Sequence, residues 1–176
     1  FGSTEEMEAL LRAGNSGLDI VVPTHYAVPA WIEDGLIEEL DYAAMGNPDL
    51  SDWNELFVDQ PFDPGNKYSI PKNWGTTGII YAPDAEPVTS WSDFFERIDD
   101  DLAGHALIVD HQISTIGSAA VAMGYDLNTT DPDELAEIEQ MLVDLKPSLW
   151  AISSDVQPPL RNGDTWASMA WTGDGV

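Results

Sequence analysis

Leu18-Asp19-Ile20-Val21-Val22-Pro23 is a brief aliphatic run closed by proline, and its reading decides the fold. A short apolar segment rich in β-branched residues is the pattern of a parallel strand buried on both faces. Just upstream, Ser3-Thr4-Glu5-Glu6 forms a capping box, and Met7, Leu10 and Leu11 place an apolar face on the helix that follows, which Gly14 can end. Downstream, residues 27–34 read as a second short helix closed by Gly35, and residues 36–40 as another extended piece. Helix, strand, helix and strand in quick succession predict an α/β sheet with right-handed crossovers.

Farther along, residues 47–66 are rich in Pro, Asp and Asn and read as a loop with one helical turn near Trp53 and Phe57. Tyr68-Ser69-Ile70-Pro71 and residues 76–81 follow as strands around an Asn73-Trp74-Gly75 turn, and residues 83–87 form a connector. Ser90-Trp91-Ser92-Asp93 starts a capped helix. His105-Ala106-Leu107-Ile108-Val109-Asp110 is a second buried strand that ends on a carboxylate, where a new lobe begins. Residues 113–123 are helical by spacing, and Asp131-Pro132-Asp133-Glu134 is a strong helix start ahead of the stripe Leu135, Ile138, Leu142 and Leu145. Residues 149–153 and 166–171 read as strands separated by a polar loop at 157–164. Residues 172–176 then follow without a closing element, so the chain is expected to be a fragment.

The 176 residues carry 32 acidic against 6 basic side chains, a net charge of −26. Such a chain repels a phosphate backbone and lacks the cations to neutralise it, so no nucleic-acid partner is expected. The acidity fits either a solvated surface adapted to a saline or acidic habitat or a field that attracts cationic ligands. With no cysteine, disulfide frameworks and thiolate metal sites are excluded. There is no apolar run of roughly 18 residues that would span a membrane.

In open α/β sheets ligands bind beyond the carboxyl ends of strands, so the residues after each apolar run are the candidates. These are Thr24, His25 and Tyr26 after the first run, Asp110, His111 and nearby Ser114 after the second-lobe strand, and Trp171 and Asp174 after the last. Carboxylates offer charge-assisted hydrogen bonds to an ammonium, and aromatic faces attract a cation by roughly 0.5–2 kcal/mol per contact. The same residues also suit plainer roles, since strand-end Tyr and Trp often pack at lobe edges and Asp often caps helices. His25, His105 and His111 show no metal-binding spacing, and neither a metal nor another cofactor is expected. A carboxylate hydrolase stays as the enzymatic alternative, although no nucleophile elbow or phosphate loop accompanies the acids.

The ordered set Leu18-Asp19-Ile20-Val21-Val22-Pro23-Thr24-His25-Tyr26, Tyr68-Ser69-Ile70-Pro71 with Trp74-Gly75-Thr76-Thr77-Gly78, Val88-Thr89-Ser90-Trp91-Ser92-Asp93, Gly124-Tyr125 with Asn128-Thr129-Thr130-Asp131-Pro132, and Trp171-Thr172-Gly173-Asp174 resembles the spermidine/putrescine-binding proteins of bacterial ABC importers. The resemblance runs along nearly the whole chain and covers about half of a typical member. It implies a type II periplasmic-binding-protein fold of two lobes, each with a central mixed sheet, here incomplete: 1–81 from the first lobe and 82–176 from the second. It further implies a monomeric, non-enzymatic receptor in the periplasm or another extracytoplasmic compartment, compatible with a cell-surface lipoprotein. Such a receptor captures a polyamine by hinge closure and delivers it to a membrane permease. By position, Thr24 and Tyr26 would contact ligand from the first lobe, Asp110 and His111 from the second, and Trp171 would stack on the methylene chain. His111 and Ser114 depart from the acidic pair of the spermidine-binding relatives. The ligand class is therefore open between putrescine, another amine and a solute that is not a polyamine.

Overall fold

The structure, a computed structural model, describes residues 3–14 and 17–174. Gly175 and Val176, the end of the segment on which the fragment expectation rests, lie outside them. Contacts divide the chain into two compact units, Ser3–Trp74 and the residues from Gly75 onward.

The first unit is built from helices and loops. Helix α1 spans Thr4–Ala13, with the Ser3 hydroxyl accepting from the Glu6 N–H and Gly14 closing it at φ 70°. A 3-10 turn, His25–Ala27, leads into α2, Val28–Glu33, and Gly35 ends that helix at φ 66°. Their apolar faces meet around Met7, Ala27 and the fully buried Trp31. Arg12 bridges Glu8 at 2.7 Å and Asp34 at 2.6 Å, and its hydrogen bond holds the Glu8 carboxyl below its ordinary range.

The strand expected at residues 18–22 is absent, as are those at 36–40 and 68–71. Ile20 is 85% exposed. A strand exists only through its ladder, and among the described residues of this unit no strand pairs with this run. In place of a ladder the segment 59–69 is organised by one buried carboxylate. Asp63 accepts from the N–H groups of Lys67, Tyr68 and Ser69 and from the Ser69 hydroxyl, the last two bonds both at 2.7 Å. Asn66 and Asp59, both in the left-handed region, lock the same turn through bonds from the Asp59 and Gly65 N–H groups to their side chains.

The second unit contains the only sheet among the described residues, ordered β1-β4-β2-β3. β1 is Thr77–Tyr81, β2 Ala106–Ile108, β3 Ala151–Ile152 and β4 Ala167–Trp171. β2 runs parallel to both β3 and β4, while β1 is antiparallel to β4, giving a mixed sheet. The sequence placed the division after residue 81. β1 nevertheless lies within the second unit, because it pairs with β4 from Thr77↔Trp171 to Tyr81↔Ala167.

Four α-helices accompany this sheet: α3, Trp91–Arg97, capped by Ser90; α4, Gln112–Ala122; α5, Pro132–Leu145, capped by Asp131; and α6, Gln157–Asn162. α6 replaces an expected loop. Its prolines fall in the first turn, where a missing N–H costs no intrahelical bond, and Gly163 ends it at φ 80°. Phe94, Ile98, Leu107, Ile138 and Met169 are fully buried in one core, each contributing roughly 1.5–3 kcal/mol relative to exposure. Arg97 forks onto Asp101 at 2.9 and 2.8 Å while touching the carbonyls of Glu86 and Pro87, tying α3 to the connector before it.

Candidate functional site

Parallel pairing of β2, β3 and β4 brings their carboxyl ends to one edge of the sheet, and the antiparallel β1 starts at that same edge. The register sets Thr77 opposite Trp171. Residues far apart in sequence therefore meet: Asp110 and His111 beyond β2, Ser153 and Ser154 beyond β3, and Trp171 to Asp174 at the end of β4.

His111 is the N-cap of α4. Its Nδ1 accepts the backbone N–H of Ser114 at 3.2 Å, the bond that Ser, Thr or Asp ordinarily accepts at this position. The Thr115 hydroxyl donates to the Val109 carbonyl at 2.8 Å, fixing the strand-to-helix turn. The His111 and Trp171 rings stand edge to face, with centroids 5.7 Å apart and planes at 86°. The Ser114 and Thr77 hydroxyls lie 3.2 Å apart. Thr172 closes the edge by accepting the Thr76 N–H at 2.8 Å, its own N–H reaching the Thr76 carbonyl at 3.0 Å.

The two acids of this group behave differently. Asp110 presents an exposed carboxylate, and its carbonyl accepts from the Ser154 hydroxyl at 3.3 Å. Asp174 turns inward: its Oδ2 accepts the Trp171 N–H at 3.2 Å. It also lines a hollow of about 350 Å³ with Ile79, Tyr81, Leu160 and Arg161.

Thr24, His25 and Tyr26 form a separate group in the first unit. The Thr24 N–H donates to the Thr4 hydroxyl at 3.3 Å, and the exposed His25 ring leans on Phe62 at 5.3 Å. The Tyr26 hydroxyl donates to Glu5 at 2.6 Å. Burial, then that bond, push the Tyr26 phenol up to about 12. Two of the three are thus tied to the start of α1. None of them lines the unit's hollow of about 370 Å³, which is walled by Trp53, Asn54, Phe57, Lys72 and Trp74 with the Phe57 and Trp74 rings stacked at 5.6 Å.

Sequence reasoning thus named His111, Ser114 and Trp171, which the structure brings into one cluster. It passed over Thr77 as a site residue, and also the Trp53–Trp74 hollow. Only the β1–β4 register carries the Thr77 signal, because a threonine at the start of a strand is otherwise unremarked.

Comparison with known proteins adds the following. The family model described as bacterial extracellular solute-binding protein matches residues 2–175. The spermidine/putrescine-binding periplasmic protein of Escherichia coli K12 is 34% identical over 98% of this chain and 50% of its own length. The putrescine/cadaverine-binding protein of Pseudomonas aeruginosa is 32% identical over 99% of the chain and 51% of its own length. Among solved structures, a lipoprotein of Treponema pallidum matches with a TM-score of 0.77 at 28% identity, over 99% of this chain and 55% of that one. The chain spans about half the length of the curated relatives it matches. The chain's α/β architecture with its mixed sheet matches the type II periplasmic-binding-protein fold of that lipoprotein structure.

Proposed function

The chain belongs to the family of bacterial extracellular solute-binding proteins, and from that membership we propose that it forms part of a receptor that captures a small cationic amine outside the cytoplasm and passes it to an ABC permease. The receptor binds without converting its ligand and acts as a monomer. Relatives named for spermidine, putrescine and cadaverine support an aliphatic amine as the ligand.

One observation carries the reading: half-buried Trp171 lies at the sheet edge where Asp110 exposes its carboxylate. An indole face attracts an ammonium and packs against methylenes, and a carboxylate supplies the charged hydrogen bond. Asp110 takes the ammonium, Trp171 the alkyl chain, and the field of a chain at net charge −26 raises the local concentration of cations. Ser114 and Asp174 are assigned as further polar contacts of that ligand.

Calorimetry of the full-length protein against putrescine, cadaverine and spermidine, with amino acids and sugars as controls, tests the proposal. Saturable amine binding in the micromolar range is expected. Trp171→Ala weakens it by about 1–3 kcal/mol, as removal of an aromatic anchor does, and Trp171→Phe recovers part of the loss. Saturable binding of a sugar with no amine binding overturns the assignment.

A further inference from the structure

β4 ends at Trp171, and the chain leaves the sheet at once through the 3-10 turn Thr172–Asp174. The ladder with β1 nevertheless continues past the strand end. The register that sets Thr77 opposite Trp171 also sets Thr76 opposite Thr172, and the Thr172 N–H donates to the Thr76 carbonyl at 3.0 Å. In an antiparallel pair this position calls for a return bond, from the Thr76 N–H to the Thr172 carbonyl. The Thr76 N–H goes instead to the Thr172 hydroxyl, at 2.8 Å. A side chain stands where a backbone acceptor belongs.

Thr76 by itself satisfies that hydroxyl, which has one proton and two lone pairs. Thr172 Oγ1 donates to the Thr76 carbonyl at 3.0 Å and lies 3.0 Å from the Thr76 hydroxyl, which can donate to it alongside the Thr76 N–H. Trp171 occupies the adjacent, non-hydrogen-bonded position, so its own N–H is not offered to β1. Asp174 takes it, with Oδ2 accepting at 3.2 Å. The turn residues Thr172 and Asp174 thereby hold the end of β4 from both of its edges.

We propose that Thr172 is a positioning residue for the amine site: its hydroxyl, the final rung between β1 and β4, fixes the backbone that carries Trp171, and through it the indole that packs on the ligand's alkyl chain. The proposal rests on the amine reading above and separates from it experimentally. Thr172 and Thr76 are exposed, so losing their bonds changes global stability little. What changes is the freedom of the strand end. Thr172→Val keeps the branched shape and the strand preference of the side chain and removes its donor and acceptor, whereas Thr172→Ser keeps both.

The test is calorimetry of the full-length protein with putrescine, cadaverine and spermidine, joined to amide exchange and urea unfolding. Thr172→Val is expected to weaken amine binding about tenfold and to speed exchange of the Thr76 amide about tenfold, with the urea midpoint unchanged. Thr172→Ser recovers most of both losses. Because Thr172 acts through Trp171, Thr172→Val has no further effect on affinity in a Trp171→Ala background. Amine binding by Thr172→Val as tight as that of the unaltered protein overturns the proposal and leaves the amine reading standing. So does a tenfold loss that persists without Trp171, or a Ser variant as weak as the Val one. Unchanged exchange at Thr76 removes the rung itself, independently of any ligand. Binding of none of the three amines by the unaltered protein overturns both readings.

Discussion

The two units reach order by different routes. In the second, a four-stranded sheet is accompanied by helices, and residues such as Phe94, Leu107 and Met169 are wholly removed from water. In the first, the buried apolar cluster is small, centred on Met7, Ala27 and Trp31, and a polar device, Asp63 with its ring of N–H donors, holds the long loop. Where apolar area is plentiful, stability follows from burial. Where it is scarce, each backbone donor has to be satisfied individually, and one carboxylate serves several.

Truncation of the sheet core is the sharpest way to break this contrast. Leu107, fully buried on the central β2, should cost about 2–5 kcal/mol as Leu107→Ala, read as a lowered urea midpoint. A loss comparable to that of an exposed residue would mean that the sheet does not organise the second unit. In the first unit the expected sensitivity is polar. Asp63→Ala strands the N–H groups of residues 67–69 and should cost about 1–3 kcal/mol, with faster amide exchange confined to the 59–69 segment. Unchanged exchange there would remove Asp63 as the organiser.

The smallest expected effect is local to Tyr26. Its phenol is raised to about 12 in the folded protein, chiefly by burial and then by the bond to Glu5, so folding favours the neutral form. That contribution is complete below the ordinary tyrosine value near 10 and is lost as pH rises toward about 12. An ultraviolet titration should show a late tyrosine step near 12, and Tyr26→Phe should abolish that step. A late step that persists in Tyr26→Phe would contradict the assignment of that step to Tyr26.

Much of this architecture was readable beforehand wherever the signal was local. Ser3, Ser90 and Asp131 cap α1, α3 and α5 as their spacing predicts, since a cap bonds a donor only two or three residues away. The stretches around β2 and β4 also read correctly as strands. The run at 18–22 is also rich in aliphatic residues and is not a strand, and residues 157–162 form a helix despite two adjacent prolines. Strand propensity reports fitness for a pleated surface and is silent on whether a partner exists. Asp110, His111 and Trp171 were legible as strand-end residues, whereas the ties of Thr24 and Tyr26 to the start of α1 were not.

By itself the sequence determined the α/β class, the starts of α1, α3 and α5, the net acidity, and the ordered motifs that belong to the solute-binding family. These depend on composition and on neighbours a few residues apart. Tertiary structure decided which apolar runs became strands, that Thr77 pairs with Trp171, and that His111 caps α4 by accepting the Ser114 N–H. Hydrogen-bond direction is set by both partners at once. A residue's name gives its repertoire, and only its placement selects the state in which it meets a ligand.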